Sequence, residues 1–239
     1  MTKPLFREDA YLRRAEAEVL AHTSEGGIVL DQSIFYPTGG GQPGDNGVLH
    51  WDDESMAIAT AIKGEGETII LVPAEPRALP QVGSVVEQAV DWKRRYGHMR
   101  MHTALHLLSV VVPFGVTGGS IGAERSRLDF DMADAPEDRA ALEATLNAHV
   151  RADMNISEEW ITSAELDANP GMVKTLSVQP PRGAGQIRLV RIGDSTDTID
   201  LQPCGGTHVA STGEIGTLRI GKIEKKGRMN RRIYLHLDS

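Results

Sequence analysis

His102-Thr103-Ala104-Leu105-His106 sets two imidazoles four residues apart. On a helix that spacing puts both rings on one face, where they can aim at one metal ion. His98 continues the same stripe, so spacing leaves open which pair would bind. Much later, Pro203-Cys204-Gly205-Gly206-Thr207-His208 joins the only cysteine to another histidine through a Gly-Gly link that lets the backbone turn tightly around a site. Two helical histidines plus a loop Cys and His make an N/S set suited to tetrahedral zinc. Taken singly, each pair has a plainer reading, as surface or core histidines and an incidental buried thiol. Thr103-Ala104-Leu105 fills the gap between the histidines, so the helix lacks the glutamate that serves as general base in an HExxH metalloprotease. The Thr103 hydroxyl either contacts a substrate or bonds back to a helix carbonyl.

The elements around these residues fall into two groups. From Gly26 to about Asp91, short apolar runs alternate with turn residues: Ile28 to Ile34, Ala57 to Ile62, Thr68 to Val72 and Ser84 to Val90. This pattern predicts a small β domain over residues 1–90. Its longest turn-rich interruption, Tyr36 to Gly47, holds several glycines that permit positive φ and close backbone approach. After Asp91 the pattern turns helical from Trp92 to about Val112, where Pro113 stops it. Leu128 and Phe130 alternate as in a strand. Asp134, followed by Pro136 and Glu137, opens a helix whose Leu142, Leu146 and Val150 form a core stripe. Strands are expected around Ile187 to Ile192, Ile215 to Ile223 and Ile233 to Leu237, and a loop at Pro180 to Gly185. The expected architecture is α+β: an N-terminal β-barrel domain, then a domain over 91–239 with an antiparallel sheet and packed helices.

Composition narrows the function classes. No apolar run approaches the roughly 20 residues that a bilayer requires, and Met1 to Asp9 carries charge instead of a secretion signal, which favours a cytoplasmic setting. A lone cysteine fits a reducing compartment and leaves metal binding open. The formal net charge of -8 argues against a general nucleic-acid coat. It leaves room for a local basic surface, and Arg219, Lys222, Lys225, Lys226, Arg228, Arg231 and Arg232 form such a cluster, unless they are only a charged strand edge.

His102 to Leu108 and Cys204-Gly205-Gly206-Thr207-His208 resemble the paired signatures of the editing domain of alanyl-tRNA synthetase and of its freestanding AlaX relatives. Phe35 to Gly47 looks like the glycine-rich motif of the medium-length AlaX proteins, in which a β-barrel precedes the editing domain. Weaker matches lie at Gly119-Ser120, Arg127 to Phe130, Ile187 to Asp194, Ser211 to Gly216 and Arg231 to Ile233, so the resemblance covers most of the chain. Where the synthetase domain commonly has glutamine two residues before the Gly-Ser pair, this chain has Thr117, and no role is carried to that position. No stretch resembles the synthetase's aminoacylation or ATP-binding region, which implies editing in trans.

The resemblance implies a zinc-dependent deacylase for mischarged tRNA(Ala), with serine the first candidate for the edited residue and glycine the second. One zinc ion would be held by His102, His106, Cys204 and His208, with no nucleotide cofactor; Cys204 or His208 is the ligand expected to be labile. His102, His106, Cys204 and Thr103 are the candidates for catalysis. Substrate contacts fall on Thr38, Gly39, Gly40, Gly41 and Gln42, and tRNA docking on Lys222, Lys225, Lys226, Arg228, Arg231 and Arg232. Two other readings stand beside this one: an RNA-binding module in which zinc is purely structural, and a zinc hydrolase of small esters or amides.

Overall fold

A computed structural model describes residues 1–176 and 185–238 of the chain. The expected loop at Pro180 to Gly185 lies, as far as Ala184, outside the described residues. The chain divides into two compact units, Met1–Tyr96 and Gly97–Ser239, and the fold is α+β.

In the first unit β1 (Lys3–Pro4) pairs in parallel with β4 (Gln32–Ser33). Six further strands, β2 (Arg14–His22), β3 (Ile28–Leu30), β5 (Gly47–Trp51), β6 (Glu54–Lys63), β7 (Ile69–Pro73) and β8 (Val85–Val90), close an antiparallel barrel in the order β2-β3-β7-β6-β5-β8. Val19, Ile28, Leu30, Leu49, Ile58 and Leu71 point inward to form its core. The apolar runs anticipate β3, β6, β7 and β8. They do not anticipate β2, whose Ala and Glu residues have helix-forming composition; only its period of two, with Ala17 and Val19 buried between exposed neighbours, marks it as a strand.

A fully buried guanidinium underlies the glycine-rich segment. Arg95 donates from Nε to Asp45 Oδ2 (2.9 Å) and from Nη1 to the Ala10 carbonyl (3.0 Å), while Nη2 pairs with both Asp45 and the Ile34 carbonyl. Asp45 Oδ2 also accepts from the backbone of Tyr36 (2.6 Å). The ion pair thus ties both ends of the segment, Ile34 to Tyr36 and Asp45, to a single side chain.

Helix α1 (Trp92–Val111) carries that arginine in its first turn and the histidine pair further on. Asp91 caps it by accepting from the Arg94 amide (3.2 Å). In the second unit β9 (Val116–Ser120), β10 (Arg125–Asp131), β14 (Leu218–Gly227) and β15 (Asn230–Leu237) form an antiparallel sheet in the order β14-β15-β10-β9. A second sheet has the order β11-β12-β13, from β11 (Ile156–Thr162), β12 (Gln186–Gly193) and β13 (Thr198–Pro203). Helix α2 (Arg139–Arg151) starts later than expected: Asp138, not Asp134, is the cap, accepting from Ala141 (2.8 Å). Its Leu146 and Val150 are buried as the stripe predicts. Its polar face serves the open edge of β14, where Asn147 bonds both the amide (2.9 Å) and the carbonyl (2.8 Å) of Leu218, and Glu143 accepts from Ile220 (2.7 Å). A short α3 (Ser163–Ala168), closed by a Thr162/Glu165 capping box, follows β11.

Replacing Arg95 with Met strands the buried Asp45 carboxylate and should destabilise the barrel unit by about 3–5 kcal/mol in chemical denaturation. Arg14→Met, which breaks the exposed pair with Glu87, should cost less than about 1 kcal/mol. Equal effects would mean that Arg95 is not what holds the segment.

Candidate metal centre

Helix α1 is buried almost throughout its second half, and its face bearing His102 and His106 meets the chain just after β13. There the ligand atoms of His102, His106, Cys204 and His208 lie within 4.8 Å of one another. His98, one turn earlier on the stripe, is not part of this group, which resolves the ambiguity of spacing. Cys204 Sγ lies 3.4 Å from His102 Nε2 and 3.2 Å from His208 Nε2. Metal–sulfur and metal–nitrogen bonds of about 2.3 and 2.0 Å give tetrahedral edges of roughly 3.5 Å, so these two distances and the spread of the donor set are compatible with a single metal ion.

Two of the three rings are oriented from behind. His106 donates from Nδ1 to Asp200 Oδ2 (2.9 Å), which leaves Nε2 facing the cluster. The Thr103 hydroxyl donates to the Met99 carbonyl (3.0 Å), so its contact with His208 Nδ1 (3.1 Å) is one in which histidine donates. That fixes the His208 tautomer with Nε2 free for a metal. Thr103 is fully buried and also accepts from the Val209 amide (3.4 Å). Its hydroxyl is therefore committed to the helix and to a ligand, the second of the two roles that its sequence position allows. Asp200 is itself held by Gln202 (2.7 Å) and by the Lys174 ammonium. Arg188 clamps the loop, donating to the carbonyls of Cys204 (2.8 Å) and Gly206 (2.9 Å).

Electrostatics follow from this packing. Burial pushes the Cys204 thiol up, but the neighbouring histidines, His102 first, through its charge and its hydrogen bond, outweigh it and leave the thiol well below its ordinary range. Burial, then the nearby His102 charge, depresses His208 to about 3. Burial also opposes charge on His106, yet the hydrogen bond to Asp200 raises it to about 9. Asp200 itself, for which burial is outweighed by His106 and Lys174, falls to about 2.

Asp200, Gln202, Lys174 and Arg188 join the site only in the folded chain. Asp200, Gln202 and Cys204 alternate along one side of β13 and its extension, and such a polar stripe on a buried strand was the available signal.

The remaining expected site residues lie elsewhere. In the barrel unit, Gly39 and Gln42 exchange two backbone hydrogen bonds (3.0 Å each) around Gly40 and Gly41, whose φ values of 58° and 83° make a tight primed hairpin turn. Gly40 and Gly41 are exposed, whereas Gln42 is buried. The Thr38 hydroxyl accepts from Gly44 (2.8 Å) and donates to the Ala61 carbonyl (3.3 Å), so it shapes the segment from within. On the β14–β15 hairpin, Lys222, Lys225, Lys226 and Arg228 are exposed. Glu224 pairs with Lys222 (2.9 Å) and Lys226 (2.8 Å), and Arg232 pairs with Asp129 (2.7 Å). Arg231 departs from the expected docking role: it is buried and donates to the Gly227 and Asn230 carbonyls, closing the hairpin.

Comparisons with known proteins match these features. The chain is 33% identical over 247 residues to the alanyl-tRNA editing protein AlaX-M of Methanosarcina acetivorans, covering 99% of each chain. It is 32% identical to AlaX-M of Methanosarcina mazei, covering 99% of this chain and 97% of that one. It is also 37% identical over 233 residues to the alanine–tRNA ligase of Pyrobaculum arsenaticum, covering 94% of this chain and 25% of the ligase. Residues 187–234 match the family model for the threonyl and alanyl tRNA synthetase second additional domain. Residues 10–94 match the model for class II (A) tRNA synthetases, a likeness that the sequence reading did not find in the barrel half. Among the described residues no helix is long and apolar enough to cross a membrane.

A metal ion must displace the His106 Nε2 proton, so affinity should climb with pH toward about 9 and level off above it. Asp200→Asn should lower the plateau affinity by about 10–100-fold and bring the levelling-off to lower pH. Both are read from competition with a chelating dye, and an unchanged plateau would remove Asp200 from the site.

Proposed function

The chain belongs to the alanyl-tRNA editing proteins of the AlaX-M family, and on that premise we propose that it is an aminoacyl-tRNA deacylase that hydrolyses the ester of mischarged tRNA(Ala), with serine the first substrate and glycine the second. The observation that carries this reading is the convergence of His102, His106, Cys204 and His208 within 4.8 Å. An ion bound there, which we take to be zinc, would act as a Lewis acid toward the ester.

The chain's own residues do the rest. Asp200 keeps the His106 proton on Nδ1, and Thr103 does the same for His208, so both are positioning residues. A closed set of four protein ligands is usual for a structural ion, and catalysis needs an open position. Cys204 is half-buried, whereas His208 is buried and pinned by Thr103. We therefore assign Cys204 as the ligand that yields its place. Selectivity requires a second site because an apolar pocket sized for alanine rejects an added hydroxyl poorly. An editing site that hydrogen-bonds that hydroxyl spares alanyl-tRNA, which would leave the buried partner unpaired.

For the tRNA body we propose the exposed Lys222, Lys225, Lys226 and Arg228, and for backbone contacts the exposed turn at Gly40 and Gly41 with Gly39 beside it. Lys225 and Arg228 belong to none of the ion pairs among the described residues and are the stronger pair for phosphates. The closed ligand set also favours a second reading, an RNA-binding module with a purely structural ion. Chelation separates the two, since a structural ion should take the second unit's secondary structure with it.

Zinc-loaded protein should release serine from seryl-tRNA(Ala) and spare alanyl-tRNA(Ala), and His102→Ala should lose both metal and activity. Full activity in that metal-depleted variant would overturn the catalytic assignment. A paired Lys225→Ala and Arg228→Ala variant should raise KM and flatten its rise with salt, leaving kcat unchanged; an unaltered salt dependence would remove this surface from tRNA docking.

A further inference from the structure

A row of residues crosses the second sheet from the metal loop to its outer edge. Cys204 lies opposite Arg188, whose carbonyl accepts from the Cys204 amide (3.1 Å), and Arg188 lies opposite Trp160 on β11. The Arg188 side chain reaches the Cys204 and Gly206 carbonyls in one direction and Glu158 Oε2 (2.7 Å) in the other. Glu158 and Trp160, two residues apart on one strand, share that face. The opposite face carries Ile161, Ile187, Leu189 and Leu201 into a small core. Trp160 therefore stands on the same side of the sheet as the metal loop, two strand spacings or about 10 Å from Cys204.

Trp160 is 47% exposed and takes part in none of the ring stacks or cation–π contacts among the described residues. A single exposed aromatic needs no explanation; its place in this row does. Gly205, at the inner end, is exposed, and a side-chain carbon there would meet nothing within 4 Å. Arg188 in the middle is buried and bonded at all three of its nitrogens, so the row offers a flat apolar surface at its outer end instead of a cation for phosphate. In an aminoacyl-tRNA the scissile ester sits on a ribose whose own base is the nearest aromatic group.

Resting on the deacylase reading above, we propose that Trp160 is the stacking platform for the 3′-terminal nucleobase of the aminoacyl-tRNA whose ester lies at the His/Cys cluster. Stacking on a ring tolerates any base and holds it by its face. Trp160 fixes the end of the substrate, and the reacting atoms remain with the cluster.

The test compares zinc-loaded wild type, Trp160→Ala and Trp160→Phe on seryl-tRNA(Ala) and on the same RNA with an abasic terminal ribose carrying the seryl ester. On the intact RNA, Trp160→Ala should raise KM about 5- to 150-fold with kcat and zinc content unchanged, and Trp160→Phe should restore most of the loss. On the abasic RNA wild type and Trp160→Ala should be equal. An unchanged KM for Trp160→Ala on intact RNA, or the same loss on both RNAs, would overturn the stacking role while leaving the deacylase reading intact. Wild type that releases no serine from intact RNA would sink both. Should the alanine variant misfold, Trp160→Leu, apolar but without a ring, carries the same comparison.

Discussion

One sulfur and three ring nitrogens, drawn from a helix and from a loop far along the chain, must meet within 4.8 Å while largely shielded from water. Buried polar groups without partners are costly, and a half-satisfied cluster is worse than an apolar core. The second unit answers with a shell of hydrogen bonds. Asp200 takes the outer nitrogen of His106, Thr103 takes that of His208, and Arg188 holds the two carbonyls that bracket the Cys-Gly-Gly turn. β13 supplies Asp200 and Gln202 from one face, and α1 supplies both rings and Thr103 from consecutive turns. The helix has to be deeply buried for that face to reach the loop, and the β11-β12-β13 sheet has to lie where its polar stripe meets the rings.

The periods of the apolar residues made much of the fold legible. Val85 to Val90 and Ile69 to Pro73 read as strands because their apolar residues are large enough to fill a barrel. The barrel's closing strand, Arg14 to His22, did not, because its inward positions include alanine, and alanine with glutamate is helical by propensity. The start of α2 moved from Asp134 to Asp138 because three acidic residues stand near Pro136 and Asp138 is the one whose carboxylate caps the first amides. The division into two units falls inside α1, at Tyr96 and Gly97, where a continuous helical pattern offers no linker composition to read.

The ligand set was legible because Cys and His carry their chemistry in their identity. Its supporting residues were not, since Asp200, Arg188 and Lys174 look like ordinary surface charges until the fold pairs them and buries the first two. Density of charge misled in the opposite direction. Arg231 lies inside the basic cluster yet points into the hairpin, and Glu224 answers two of the lysines, so a count of cations overstates the free positive surface. Thr38 and Gln42 also serve the shape of the glycine-rich segment, the first through hydroxyl bonds within it and the second by its burial, around a guanidinium encoded in a later helix.

The ligand atoms of Cys204 and His102 are separated by 102 residues of chain. Closing so long a loop costs entropy that local contacts cannot repay early, whereas the His102–His106 pair forms with the helix alone. The two-nitrogen half-site is therefore encoded long before Cys204, and the sulfur comes only with the last sixth of the polypeptide. The four-donor set is thereby complete only once His208 has joined the fold, and a chain that stops short of Cys204 holds a two-nitrogen half-site at most.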